Sequence, residues 1–374
     1  MDLPEGLPAP KTEARLVSLD AFRGLTIAGM ILVNNPGSWD HVYEPLMHAE
    51  WNGWTLADLV FPFFLFIVGV AVTFSFGDAS GGRPGRETAL RILRRTALLL
   101  LLGLSLNALM DSDGLWRLRI PGVLQRIALC YLAASLLYLW SGPRSQAMLF
   151  ASLLIGYWLV LDLVPVAGRR PGWSDPEYNL AAYLDRYLIG ESHLHRESWD
   201  PEGLLSTAPA VATTLLGVLT GHWLRSERRP EDKTAGLVVA GVVMLAAGLA
   251  FDRWMPINKN LWTSSYVLFT GGMAMVTLGF CYWLIDVRRI RQPVLPLVVF
   301  GVNPIAVYVL STAVGEVLER VTIHGMNVRD RICRVLFVHW ATPAGASLLF
   351  AACYTLLWFG ASTLLYRRKI FIKI

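Results

Sequence analysis

The chain has 374 residues, 54% of them hydrophobic and 16% charged, where an ordinary soluble domain carries about 25% charged residues. That deficit, with a mean hydropathy of +0.47, argues against a soluble enzyme and predicts a polytopic membrane protein. The net charge of +5 then reads as a topology signal, because no soluble basic face is visible that would bind nucleic acid.

A membrane-crossing helix needs about 20 mostly apolar residues. Ten stretches qualify in chain order: 19–35, 54–76, 91–110, 120–140, 147–166, 206–224, 234–251, 261–285, 293–312 and 344–366. All should be helical, since an open strand leaves its backbone unsatisfied in lipid. The expected fold is therefore an all-α bundle of about ten transmembrane helices filling residues 16–374, behind a polar, proline-rich tail at 1–15. Placing that tail in the cytoplasm puts Lys11, Arg15, Arg144 and the basic groups within 83–95, 225–233, 288–291 and 367–373 on the same side. They outnumber the basic residues of the opposite loops, so both termini are expected inside. The first stretch carries Asp20, Arg23 and Asn34 and lacks a cleavage site, which predicts a retained span. Segment 178–190 has apolar residues at helical spacing with Asp185 and Arg186 opposite, as in a helix lying along the outer interface.

Polar groups inside apolar spans are costly and usually face a cavity or one another. Asp20 and Arg23, three residues apart, can pair on one helix face, or Arg23 can reach the headgroups. Further along, Asn34, His48, Asn52 and Asp58 cluster around the second span. A neutral imidazole serves as general base or nucleophile, and a carboxylate on its other nitrogen fixes the tautomer; alternatively His48 is an interfacial histidine beside aromatic anchors. In the fourth span Gln125 precedes Arg126, which needs a partner, and Asp58 at similar depth is the expected one, either as a structural pair or to position His48. Asn258, Lys259 and Asn260 open on the same side with donors and acceptors suited to sugar hydroxyls or an anion, and Trp262 is available to stack; a plain polar loop is the alternative. Asn303 and Tyr308 in the ninth span either line that cavity or, for Asn303, satisfy backbone freed by Pro304. Four cysteines without ligand spacing suggest no metal site. His193, His195 and His324 read as surface residues, and no P-loop, dinucleotide-binding or serine-elbow motif is present.

The strings RLVSLDAFRG, HAEWNGWTLADLVFPFF, PGVLQRIALCY, YNLAAYLDRYLIGE, WDPEGLLST, PINKNLW and GVNPIAVYV follow one another in the chain. In that order they resemble the heparan-alpha-glucosaminide N-acetyltransferase family from about residue 15 onward. The resemblance implies transfer of an acetyl group from cytoplasmic acetyl-CoA to the amine of a terminal glucosamine across the bilayer. It assigns the active-site histidine to His48, with Asn34 and Asp58 as its companions, and it implies a homodimer. The resemblance is to shorter bacterial members without the lumenal domain and first span of the animal enzyme, so a chain of that kind, in a bacterial inner membrane and acting on a periplasmic amino sugar, is expected. The residues leave two rivals open: an amino-sugar or related solute transporter, and an acyltransferase with another donor or acceptor.

Overall fold

The structure, a computed structural model, describes residues 16–77, 85–110, 115–166, 172–173 and 175–372. The expected tail at 1–15 lies outside them, as does Arg83. In chain order the helices are α1 (Val17–Asn34), α2 (Ala57–Phe76), α3 (Arg86–Met110), α4 (Val123–Trp140), α5 (Pro143–Leu163), α6 (Leu180–Leu188) and α7 (Thr207–Arg225). There follow α8 (Pro230–Phe251), α9 (Ser264–Tyr282) with a terminal π turn (Trp283–Val287), α10 (Leu295–Val302), α11 (Pro304–Arg320), α12 (Val328–Leu336) and α13 (Pro343–Arg367). A two-stranded hairpin, β1 (Thr322–Ile323) and β2 (Met326–Asn327), joins α11 to α12.

Among the described residues eight helices are long and apolar enough to cross a membrane: α1 to α5, α8, α9 and α13. The protein is thus a polytopic all-α membrane protein, with two corrections to the ten spans expected. The sixth, α7, has the length but not the mean hydropathy, because Thr213, Thr214, Thr220 and His222 interrupt it. Those threonines are buried, and α7 packs chiefly on α2, α5 and α4. The ninth is broken: α10 stops at Val302, and α11 leaves at 73°. Pro304 drives the preceding residue out of the helical region, and Asn303 has φ −123° and ψ 52°.

Burial sorts the helices. α2 has 67% of its apolar window inside the protein, whereas α8 has 17% and α5 has 22%; the latter two present their apolar faces outward, which only lipid tolerates. At the centre α2 crosses α7 where Gly69 meets Gly217. A Cβ on Gly69 would stand 1.9 Å from the Thr214 carbonyl, and one on Gly217 would stand 2.0 Å from that of Phe66. The backbones touch there because neither residue has a side chain.

The helix expected within 178–190 forms as α6, capped by the Asn179 side chain, which accepts from Ala182 N. Its Asp185 is turned inward, correcting the expected polar face: it is 1% exposed and accepts a 2.8 Å bond from Leu204 N. Asp20 and Arg23 form the expected pair at 3.1 Å.

Candidate active site

The site begins with a proline. Pro62 inside α2 has no N–H to give the carbonyl of Asp58, four residues back. The hydroxyl of Tyr266 on α9, wholly buried, donates to that carbonyl at 2.5 Å. The first turn of α2 is thereby tied to α9, and Asp58 sits in that turn, where the helix dipole favours a carboxylate. The sequence Thr55-Leu56-Ala57-Asp58 closes half a capping box. Asp58 Oδ2 accepts from the backbone N–H of Thr55 and of Ala49, both at 3.1 Å.

The other oxygen, Oδ1, lies 2.7 Å from His48 Nδ1. Asp58 is fully buried, while the imidazole is 47% exposed. An Nδ1–H donated to Asp58 leaves the ring's lone pair on Nε2. Lys259 enters from the loop between α8 and α9: its Nζ stands 2.9 Å from His48 Nδ1, 3.2 Å from Nε2 and 3.4 Å from Asp58 Oδ1. Burial pushes the Lys259 ammonium below its ordinary pKa, and the Asp58 carboxylate opposes that push.

The Lys259 loop is rigid for reasons written in its polar residues. Asn258 Oδ1 accepts from Leu261 N at 2.8 Å. Its Nδ2 donates to Asn52 Oδ1 at 3.1 Å, and Gly53 N donates to Ile257 O at 2.7 Å, joining the loop before α2 to the loop before α9. Trp262 holds a left-handed φ of 52°, paired through Nε1 with Thr213 Oγ1 at 3.0 Å. It is wholly buried, so it has no face to offer a sugar.

These groups open on a cavity of about 580 Å³, within the range of small-molecule sites. His48, Lys259, Asn260, Asn34, Gln125 and Tyr308 line it, as expected from sequence. Asn258 and Trp262 stand behind its wall, as described. Arg126 does not reach the cavity and does not pair with Asp58, which has His48 and Lys259 instead. Its Nη2 donates to Gly203 O at 3.0 Å and Ser206 Oγ at 2.5 Å, and its guanidinium lies 5.1 Å from the Trp262 ring. Asn303 lies elsewhere too: its amide pairs with the backbone of Ile370 (3.0 Å) and Ile372 (2.8 Å), stitching the helix break to the C-terminal segment.

One wall of the cavity is built from residues that the sequence reading did not single out. Arg119 grips Asp200 through two bonds, 2.8 and 2.7 Å, and Glu202 at 2.5 Å. The paired carboxylates raise the Arg119 pKa against the effect of burial, and Arg119 in turn holds Asp200 below the usual carboxylate range. His195, expected at the surface, lines the cavity beside them, its pKa lowered by burial and by the Arg119 charge. On the far wall Arg329 of α12 lies 3.0 Å from Glu319 of α11. The WDPEG string was the only signal for this wall, and it carries no spacing that points to Arg119.

A sequence profile described as heparan-alpha-glucosaminide N-acetyltransferase, catalytic, matches residues 15–250. The chain belongs to the heparan-alpha-glucosaminide N-acetyltransferase family. It is 30% identical to the human heparan-alpha-glucosaminide N-acetyltransferase over 415 aligned positions, and 28% identical to the mouse protein of that name over 418. Each alignment covers 96% of this chain and 60% of the relative. The chain therefore spans about three-fifths of the length of the curated relatives it matches. Within this family member, the matched segment holds His48, Asp58, Arg119 and Glu202, while Lys259, Asn260 and Tyr308 come from beyond it.

Proposed function

We propose that the protein is a membrane N-acetyltransferase that moves an acetyl group from acetyl-CoA to the amine of a glucosamine-type sugar. The observation that carries this reading is an imidazole held by a buried carboxylate on Nδ1, with its Nε2 edge beside the Lys259 Nζ on the wall of a polar cavity. That is the arrangement of an acyl-transfer base or nucleophile. Family membership supports the donor and the acceptor class.

In the reaction the amine attacks the thioester carbonyl carbon, the carbonyl π pair moves to oxygen, and the tetrahedral oxyanion collapses to expel the CoA thiolate. His48 takes the proton that the amine loses and returns it to the leaving sulfur, giving amide and thiol. In the two-step variant Nε2 attacks the thioester and expels the CoA thiolate; the amine then attacks the acetyl-imidazolium, the bond to Nε2 breaks, and the proton the amine loses passes to the thiolate. Asp58 orients the ring, and Asn34 on the cavity wall donates to the oxyanion. Gln125, Asn260 and the Arg119 wall contact the acceptor. The CoA nucleotide approaches from the basic cytoplasmic loops, with both termini on that side of a bacterial inner membrane.

The test is acetyl-CoA turnover by detergent-purified protein against a panel of glucosamine-terminated saccharides, wild type beside His48→Ala. Turnover abolished in a folded His48→Ala is the expected result. Protein that binds no acetyl-CoA but takes up amino sugar in proteoliposomes overturns the reading in favour of a transporter.

A further inference from the structure

We propose that Lys259 supplies the positive charge that stabilises the oxyanion of acyl transfer, placed there by the outer-loop contact that also seats His48. The role rests on the acetyltransferase reading above and adds to it a charged group from beyond the segment 15–250 that the catalytic profile matches.

Whether Nε2 attacks the thioester or deprotonates the amine that does, the carbonyl carbon passes close to Nε2. An oxyanion on that carbon needs a donor about 2.7–3.1 Å from its own position. Lys259 Nζ stands 3.2 Å from Nε2, so an ammonium N–H is already beside the place where the charge develops. Two features keep it there. The Lys259 side chain is 15% exposed, so little water screens it. Its loop is closed by the Asn258 turn and by the Trp262 N bond to Lys259 O at 3.0 Å.

The charge balance fits as well. At rest Lys259 is neutralised by Asp58 at 3.4 Å. Asp58 also holds the His48 ring and two backbone amides, so the ammonium shares its counter-ion and has donor capacity left over. With three N–H groups and a freely rotating terminus, Lys259 keeps Asp58 on one N–H and presents another to the oxyanion. Asn34, on the same cavity lining, contributes a neutral donor; a cation contributes more to a developing negative charge than a neutral amide does.

The experiment uses the full chain in detergent with acetyl-CoA and a glucosamine-terminated disaccharide. Wild type, Lys259→Met, Lys259→Arg and Lys259→Cys are compared, the last before and after 2-bromoethylamine, which rebuilds an ammonium at nearly the reach of lysine. Wild type given the same reagent controls for Cys130, Cys281, Cys333 and Cys353. The expected result for Lys259→Met is a fall in kcat of about 10²- to 10³-fold, with the KM for acetyl-CoA within a few-fold of wild type. Lys259→Arg retains part of the rate, and aminoethylation of Lys259→Cys restores at least tenfold of what was lost. An unchanged kcat in Lys259→Met with an active wild type overturns the role alone. A loss that aminoethylation does not recover, with Lys259→Arg as poor as Lys259→Met, assigns Lys259 to structure and also overturns it. Wild type that binds acetyl-CoA yet acetylates no amine overturns the acyl-transfer reading, and this role with it.

Discussion

Replacing Asp58 with Asn tests the orientation of His48 directly. The carboxylate has two dissimilar sides: Oδ2 receives the N–H groups of Ala49 and Thr55, while Oδ1 faces His48 Nδ1 and Lys259. An amide has one acceptor. Two backbone donors that cannot turn away claim it, so the asparagine NH2 must face His48 Nδ1. An N–H pointed at Nδ1 requires a lone pair there, which moves the ring proton to Nε2 and removes the lone pair the chemistry uses. Where a buried carboxylate orients a catalytic imidazole, the same exchange typically costs about 10⁴ in kcat. The substitution also strips Lys259 of its counter-ion. Breaking a buried pair costs about 3–5 kcal/mol, and the 15% exposure of Lys259 places the effect toward the lower end. Steady-state kcat at saturating acetyl-CoA reads the first effect, and thermal unfolding in detergent reads the second. Nitrogen-15 spectra of histidine-labelled protein report the tautomer without any assay. A signal showing the proton still on Nδ1 in Asp58→Asn, or a kcat within tenfold of wild type, refutes the reasoning.

Three further outcomes follow from the packing. Tyr266→Phe leaves the Asp58 carbonyl without a donor and should destabilise by about 1–3 kcal/mol, visible as a lower Tm with the cavity residues intact. Gly69→Ala forces a methyl toward the Thr214 carbonyl and should separate α2 from α7 at a cost of about 1–3 kcal/mol or more; an unchanged Tm would contradict the close crossing. Asp185 should make stability depend on pH, because burial raises its carboxyl from 3.8 to about 6. A raised carboxyl pKa means the folded state holds the proton more tightly than the unfolded chain. Its contribution is therefore most favourable at low pH and is lost as pH rises from about 4 to about 6. Asp185→Asn, which still accepts from Leu204 N, should abolish that part of the pH profile of Tm.

The membrane helices were legible because each must bury its backbone in an apolar run of fixed length, and the His48 and Asp58 pair because ten residues of loop and helix start hold both. Legibility failed where contacts depend on rotation or on distant segments. Arg126 and Asp58 were matched by depth along their helices, but depth does not say which way a side chain points, and Arg126 faces Gly203 and Ser206. The bend at Asn303 was signalled by the following proline. Its size, and the capture of Ile370 and Ile372, come from tertiary packing. Arg119 meets Asp200 and Glu202 across 81 and 83 residues of chain, a separation with no periodic signature. Glu319 and Arg329 lay in a stretch that reads as outer loop until α11 is seen to run through it.

The junction between the loop before α2 and the loop before α9 bears on how the protein is made. His48 and Lys259 are 211 residues apart, so on the ribosome the first is made, with α2 after it, long before the second exists. Until α9 is threaded, Asp58 lacks both its lysine and the Tyr266 hydroxyl on its carbonyl. The pocket is thus completed late in synthesis. Two separately expressed pieces, cut in the polar turn between α7 and α8, would each carry half of it and regain function only on reassociation.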